Sequence, residues 1–356
     1  MALLEVESLT VDFYTDAGVV RAVDGLSYRL ERGETFGIVG ESGAGKTVAS
    51  LALLGLVGDG EIVDGTIRFD GRELLSCSPS ELRAIRGNRL SMSFQNAAAT
   101  FNPVYTVGEQ IAETIRAHEA VSRRTARERT LDLLERVEIA APASRYADYP
   151  HEFSGGMLQR AAVAMALACD PDLLILDEPT TGLDVTVQAQ LLELLETLAR
   201  DDEMAIQLVT HDLGVVAACC DRALVLYAGD AVERAPVEEL FYDPKHPYTA
   251  GLMASIPRIG DGRDRLPPIP GSMPDPVDRP TGCRFHPRCP YAEAVCATRD
   301  PPLLEADTGR PVTDVASGGS DVHVAACHEY AGDLDGGLEY EVRIVGEEEE
   351  TGGDRR

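Results

Sequence analysis

The stretch GESGAGKT, residues 40–47, constrains the fold of this chain more than any other segment. It follows the short apolar run ETFGIVG and precedes the run TVASLALLGLV, so we expect a strand, a glycine-rich loop and a helix in direct succession. In the pattern GxxxxGK[ST], glycines allow successive backbone N–H groups to surround phosphate oxygens at a helix N-terminus. The sequence therefore predicts an α/β fold that binds a phosphate-bearing nucleotide at this loop.

The loop also keeps a lysine, although the chain has only one other, Lys245, and arginine supplies nearly all of the remaining positive charge. A compact ammonium on a slim stem fits a crowded phosphate cradle, whereas the guanidinium of arginine is a wide planar fork. We expect Lys46 to contact the β- and γ-phosphates and the hydroxyl of Thr47 to bind Mg²⁺. The loop residues expected to surround the phosphates are Gly40, Ser42, Gly43, Ala44 and Gly45.

Two further apolar runs end in polar side chains that suit phosphate chemistry. DLLILDE, residues 172–178, is typical of a buried parallel strand that delivers carboxylates at its C-terminal end. Asp177 is predicted to hold Mg²⁺ and Glu178 to polarise the attacking water. Gln95, at the end of LSMSFQN, could reach the metal or the water, and His211, after AIQLVTHD, could sense the γ-phosphate.

A second anion site is predicted at FSGGMLQR, residues 153–160. Ser154, Gly155 and Gly156 precede the helical run AAVAMALA, so exposed backbone N–H groups are expected at the helix N-terminus. The plainer interpretation of the same residues is that Ser154 caps the helix and the glycines make the backbone more flexible where the helix begins.

The charge of the chain restricts its partners. The formal net charge is −28, which repels nucleic acid and anionic lipid headgroups. Because 44% of the residues are apolar, we expect a folded core with a carboxylate-rich surface, a composition that resembles proteins from salt-loaded cytoplasm. The sequence shows neither a signal peptide nor an apolar stretch long enough to span a membrane, which predicts a soluble or peripheral protein.

The sequence changes character near Phe241. Alternating strands at residues 3–13 and 26–30 and a charged amphipathic helix at residues 122–138 belong to the part before it. After it, proline-rich segments such as LPPIPGSMPDPVDRP predict irregular structure. We therefore predict a main domain at residues 1–241, a C-terminal extension at 242–335 and a solvated acidic tail at 336–356.

The C-terminal extension carries a cluster of thiols that could bind a metal. Zinc ribbons favour Cys-x2-Cys pairs, which this segment lacks. Its wider spacing suits a four-thiolate iron–sulfur cluster better, although the cysteine spacings of ferredoxins also differ from it. The third alternative is that the thiols are free. The four cysteines are Cys283, Cys289, Cys296 and Cys327, with His286 and His328 as alternative ligands.

Taken in order, GESGAGKT, Gln95, FSGGM, LLILDEP, TTGLD and His211 resemble an ABC-type ATPase. This resemblance implies a P-loop domain with a mainly parallel sheet, an antiparallel β subdomain and a helical subdomain. It also implies a head-to-tail dimer in which the Ser-Gly-Gly segment contacts the γ-phosphate bound by the partner's loop. Glu178 would be the general base, His211 the switch, Asp184 the contact between sites, and Phe13 or Tyr14 a stacking partner for adenine.

YPHEFSGGMLQR, NPVYTVGEQI, HPYTAGLMASIPR and GCRFHPRCPYA narrow the resemblance to the ATPases of dipeptide, oligopeptide and nickel importers. The resemblance implies a similar second ATPase subunit, two membrane permeases contacted by residues 96–110, and an extracytoplasmic solute-binding protein. It also implies a position on the cytoplasmic face of the membrane. Some members carry a [4Fe–4S] cluster at such cysteines.

Two other hypotheses remain open. The first is a soluble ABC ATPase of translation or DNA repair, but translation types usually carry two cassettes and repair types insert a long coiled coil, and neither feature occurs here. The second, compatible with import, makes the C-terminal extension a metal-sensing module that gates the ATPase.

Overall fold

The computed structural model describes residues 2–255, 269–312 and 322–338. Most of the predicted acidic tail, residues 339–356, lies outside the described residues. Among the residues described, no helix combines the length and apolar character that crossing a membrane requires.

The strands form two sheets, one antiparallel and one mostly parallel. In chain order the strands are β1 Leu4–Thr15, β2 Gly18–Leu30, β3 Thr35–Val39, β4 Gly60–Phe69, β5 Arg72–Glu73, β6 Leu90–Ser93, β7 Leu173–Asp177, β8 Ala205–Thr210, β9 Arg222–Tyr227, β10 Asp230–Pro236, β11 Leu304–Glu305 and β12 Val324–Ala325.

The helices lie between these strands and within the C-terminal extension. They are α1 Lys46–Leu53, α2 Pro79–Ile85, α3 Ala97–Thr100, α4 Val107–His118, α5 Arg123–Arg136, α6 Pro142–Arg145, α7 Gly155–Ala166, α8 Val185–Asp202, α9 Leu213–Cys219, α10 Val237–Tyr242, α11 Pro247–Ala254 and α12 Ala294–Thr298. Short 3-10 turns occupy Pro150–Glu152 and His286–Arg288.

The larger sheet has the order β11-β12-β10-β9-β3-β8-β7-β6. Its strands β9, β3, β8, β7 and β6 run parallel, and each residue of β3, β7, β8 and β9 is buried, as expected for strands covered on both faces. Since the carboxyl ends of parallel strands meet at one edge, the loops after β3, β7 and β8 lie together there. The smaller sheet, β2-β1-β4-β5, is antiparallel.

The C-terminal extension is irregular for most of its described length, as predicted, but it also continues the larger sheet. Strand β12 pairs with β10, with Ala325 opposite Glu233, and β11 pairs with β12. The carboxylate of Glu233 is fully buried and accepts hydrogen bonds from the backbone N–H groups of Lys245 and His246. It also pairs with His323 Nε2 at 2.7 Å. This buried carboxylate therefore joins the start of the extension to its final strand.

A buried chain of polar side chains connects the two sheets to the first helix. The hydroxyl of Tyr28 donates to Gln207 Oε1 at 2.9 Å, and Gln207 Nε2 donates to Ser50 Oγ at 2.9 Å. The ring of Tyr28 stacks on Phe36, with 5.4 Å between ring centroids. Because buried polar groups are costly without partners, this chain fixes the position of α1 and of the loop before it.

We expect Gln207→Leu to lower the free energy of unfolding by about 2 kcal/mol, because it leaves the buried Tyr28 hydroxyl without its acceptor. Denaturant titration of the purified chain measures the change. Adding Tyr28→Phe removes that unpaired hydroxyl, so the double variant should lose less stability than the sum of the two single losses. Simple additivity would contradict this account of the polar chain.

Candidate functional site

The glycine-rich loop lies between β3 and α1, as the sequence predicts. Gly40 and Gly45 have φ angles of 156° and 102°. A Cβ atom at Gly40 would lie 2.2 Å from the carbonyl oxygen of Leu226, and one at Gly45 would lie 2.2 Å from that of Ala22. Both glycines therefore permit a close backbone approach that a side chain would block, and this approach fixes the curvature of the loop.

Lys46 points its ammonium group into this curve. Nζ donates to the carbonyl oxygens of Gly40 at 2.7 Å and Glu41 at 3.0 Å, and the residue is 6% exposed. Burial lowers the pKa of Lys46, while the nearby carboxylates of Glu178, Asp177 and Glu41 act in the opposite direction. A buried ammonium at a helix N-terminus supplies a site where phosphate oxygens are strongly favoured.

Thr47 and Asp177 meet beside the lysine. The Thr47 hydroxyl lies 3.1 and 3.0 Å from the two carboxylate oxygens of Asp177. Burial raises the pKa of Asp177, with a smaller upward effect from Glu178, while the Thr47 hydrogen bond and Lys46 lower it. This donor set, a hydroxyl and a carboxylate, fits Mg²⁺, which prefers oxygen ligands. Gln95 lies two residues beyond β6, the neighbour of β7, with an exposed side chain.

Glu178 and His211 form a direct pair. His211 Nδ1 lies 2.8 Å from Oε1 and 2.7 Å from Oε2 of Glu178, and Thr181 Oγ1 donates to Oε2 at 3.0 Å. Glu178 is buried and has a left-handed backbone with φ 52°, whereas the His211 side chain is 61% exposed. The imidazole therefore extends from the buried carboxylate toward the solvent-exposed side of the site. Nothing in the sequence pattern had indicated the Thr181 contact.

The Ser-Gly-Gly segment begins α7, and Asp184 begins α8. Ser154 Oγ accepts from the backbone N–H of Met157 at 3.3 Å, so this serine is a helix cap as well as a candidate phosphate contact. Ser154, Gly155 and Asp184 are exposed. A Cβ atom at Gly156 would lie 2.9 Å from Val187 Cγ1, so this glycine permits close packing on the first turn of α8. Within the described part of the chain, no hydrogen bond joins this segment to the loop at residues 40–47.

Phe13 is half-buried and packs against the hydrophobic core, with its ring next to Gly60. Its neighbour Tyr14 is 63% exposed. Stacking of either ring on adenine stays a prediction.

All four C-terminal cysteines line one small cavity, together with His286 and His328. Burial raises the pKa of Cys283 to about 12, of Cys289 to about 11 and of Cys327 to about 12. Both histidines have hydrogen-bond partners, including the Cys283 carbonyl for His286 and the Arg299 carbonyl for His328. Across the described ranges, no three metal-ligating side chains are arranged around a common centre. As they stand, these side chains therefore do not form the predicted [4Fe–4S] site.

The comparisons with known proteins agree with this geometry. Residues 23–181 match the family described as ABC transporter, and residues 232–296 match the family described as oligopeptide/dipeptide transporter, C-terminal region. A putative peptide import ATP-binding protein of Brucella abortus is 48% identical over 86% of this chain and 93% of its own length. The dipeptide transport ATP-binding protein DppD of Escherichia coli is 46% identical over 87% of this chain and 95% of its own length.

Solved structures support the fold of the ATPase part. The dimeric structure of MJ0796, a bacterial ABC transporter cassette, aligns with a TM-score of 0.60 and 25% identity, over 66% of this chain and 98% of that one. A post-hydrolysis state of the same cassette, bound to ADP and Pi, aligns with a TM-score of 0.61 and 24% identity, over the same shares of the two chains.

We expect Glu178→Gln to lower the rate of ATP hydrolysis by a factor of about 100 or more, because the amide cannot accept a proton from water. Binding of ATP should be retained, since the phosphate contacts remain. Phosphate release and nucleotide binding measure the two effects. Glu196→Gln, which removes the same charge from an exposed position on α8, is the matched control. Hydrolysis by Glu178→Gln close to that of the control would remove Glu178 from the role of base.

Proposed function

Because this chain belongs to the ATP-binding subunits of ABC-type peptide importers, we propose that its ATP hydrolysis powers the import of peptides or a related small solute. The observation that carries this proposal is the extent of similarity to peptide-import ATPases, at 46–48% identity over 86–87% of the chain. This similarity includes the C-terminal segment at residues 232–296, which matches a peptide-transporter family. The same match disfavours a soluble ATPase of translation or DNA repair.

The site suggests how the residues share the reaction. Lys46 would neutralise the β- and γ-phosphates, and Thr47, Asp177 and Gln95 would hold Mg²⁺, which when bound offsets charge on the phosphate oxygens. Glu178 would accept a proton from the attacking water. His211 would couple the γ-phosphate to Glu178, since its Nδ1 contacts that carboxylate and its side chain is 61% exposed.

The Ser-Gly-Gly segment and Asp184 are proposed to act on a second subunit. Ser154, Gly155 and Gly156 would contact the γ-phosphate bound by the partner, and Asp184 would lie at the contact between the two sites. The exposure of Ser154, Gly155 and Asp184 supports this arrangement, as does the 84% exposure of Val185 next to Asp184. A similar but distinct ATPase subunit is the proposed partner, which would make the assembly a heterodimer.

Contact with two membrane permeases is proposed for residues 96–110. Val104 and Tyr105 are 69% and 54% exposed in this segment, and exposed apolar side chains of this kind suit a protein interface. The transporter would hold the chain at the cytoplasmic face of the membrane, and a solute-binding protein would deliver the solute from outside. The formal net charge of −28 supports the proposal that the protein works in a salt-rich cytoplasm.

The cysteine cavity is proposed to hold a metal cofactor, a [4Fe–4S] cluster in preference to zinc. Support comes from the convergence of Cys283, Cys289, Cys296 and Cys327 on one cavity, because four thiolates are the usual ligands of such clusters. Since no three of these groups surround a common centre as they stand, ligation would require their side chains to turn. It would also release protons from Cys283, Cys289 and Cys327, because burial raises the pKa of each of these thiols.

Uptake of a labelled dipeptide by cells tests the transport proposal. Cells deleted for this chain should take up the label about as slowly as cells that express Glu178→Gln, and the wild-type chain should restore uptake. Competition with unlabelled peptides, nickel and sugars identifies the solute class. Unchanged peptide uptake in the deletion strain would reject peptide import while leaving the ATPase assignment intact.

Metal analysis of anaerobically purified protein tests the cofactor. We expect about four irons and four sulfides per chain, lost in Cys283→Ser and retained in Cys77→Ser, which lies outside the cavity. Stoichiometric zinc in place of iron would indicate that the cavity holds zinc and not a cluster. Protein without either metal would reject both.

A further inference from the structure

Glu41 is an acidic residue within the phosphate-binding loop, and the site described above gives its side chain no role in binding or catalysis. Its carbonyl oxygen accepts a hydrogen bond from Lys46 Nζ at 3.0 Å, so its backbone is part of the surface that surrounds the ammonium. A carboxylate at this position would repel the negatively charged phosphates of a nucleotide unless a cation compensates it.

The compensating cation comes from the C-terminal extension. Arg288 Nη1 lies 3.1 and 3.2 Å from the two carboxylate oxygens of Glu41. The Arg288 side chain is 6% exposed, its Nε donates to the Pro270 carbonyl at 2.7 Å, and its guanidinium lies over the ring of Tyr227. These contacts hold Arg288 in one position, so the ion pair also restrains Glu41.

A second group from the extension holds the backbone of the same residue. The N–H of Glu41 donates to the hydroxyl oxygen of Tyr248 at 2.9 Å. Tyr248, in α11, is completely buried and packs edge-on against Tyr227, with 4.7 Å between ring centroids. Glu41 is therefore held at its N–H and its carboxylate by the extension, and at its carbonyl by Lys46.

We propose that Arg288 and Tyr248 are positioning residues for ATP binding, which hold the phosphate-binding loop in its receptive form from outside the ATPase part of the chain. Arg288 neutralises Glu41, and Tyr248 fixes the peptide group that precedes the curve of the loop. This proposal rests on the loop being the ATP site, and it holds whatever solute the transporter carries.

The test compares Arg288→Met with Arg284→Met in the purified chain and in the assembled transporter. Arg284 also belongs to the extension, but it pairs with Asp230 and Asp24. We expect Arg288→Met to raise the Kd and KM for ATP about tenfold, with kcat at saturating ATP within about threefold of wild type. Arg284→Met should leave both constants near wild type. Equal effects of the two variants on ATP affinity would overturn the proposal.

Double variants separate positioning from general destabilisation. If Arg288 acts through Glu41, then Arg288→Met should weaken ATP binding far less in a Glu41→Gln background, because no carboxylate is left to neutralise. Arg288→Lys should restore part of the affinity. If Arg288→Met does not fold, Tyr248→Phe, which keeps the ring and removes only the hydroxyl, should raise the Kd by about threefold or more. Wild-type affinity in Tyr248→Phe, or full additivity in the double variant, would reject the mechanism.

Discussion

The candidate site is organised around one buried cation. The ammonium group of Lys46 is nearly inaccessible, and in the described contacts backbone carbonyl oxygens are its hydrogen-bond acceptors. Burial lowers the pKa of Lys46 and raises that of Asp177, so the protein holds both charges at a cost in solvation. Phosphate would add negative charge beside Lys46, and Mg²⁺ would add positive charge beside Asp177. The site is thus preorganised for a metal-bound anion, which is the electrostatic requirement of phosphoryl transfer.

The parallel sheet brings these charges together. Lys46 follows β3, Asp177 ends β7 and His211 follows β8, and because β3, β8 and β7 are neighbours, all three reach the same edge. The buried chain from Tyr28 through Gln207 to Ser50 then fixes α1, since Ser50 Oγ also lies 3.3 Å from the Lys46 carbonyl. Buried contacts outside the loop therefore set the position of the loop that is proposed to bind ATP.

Short sequence patterns predicted the parts of the site that local structure creates. The strand, loop and helix around residues 40–47 and the acids at the end of β7 are encoded in continuous stretches, so their places in the fold followed from pattern alone. The contacts of Glu41 with Tyr248 and Arg288 span 207 and 247 residues, and no periodicity marks such pairs. The two-residue strands β11 and β12 were missed for a similar reason, because pairing with β10 rather than local propensity creates them.

The attachment of the C-terminal extension limits how a metal-sensing module within it could act on the ATPase. Glu233 binds the extension to the edge of the larger sheet, and Arg279 pairs with Asp24 and Asp230 across the same junction. Such an extension cannot signal by swinging as a separate body without breaking these contacts, including the hydrogen bonds to the fully buried Glu233, which is strongly disfavoured. Arg288, however, immediately precedes Cys289. A change in the cysteine cavity that shifts this turn would therefore reach Glu41 and the candidate ATP site through Arg288.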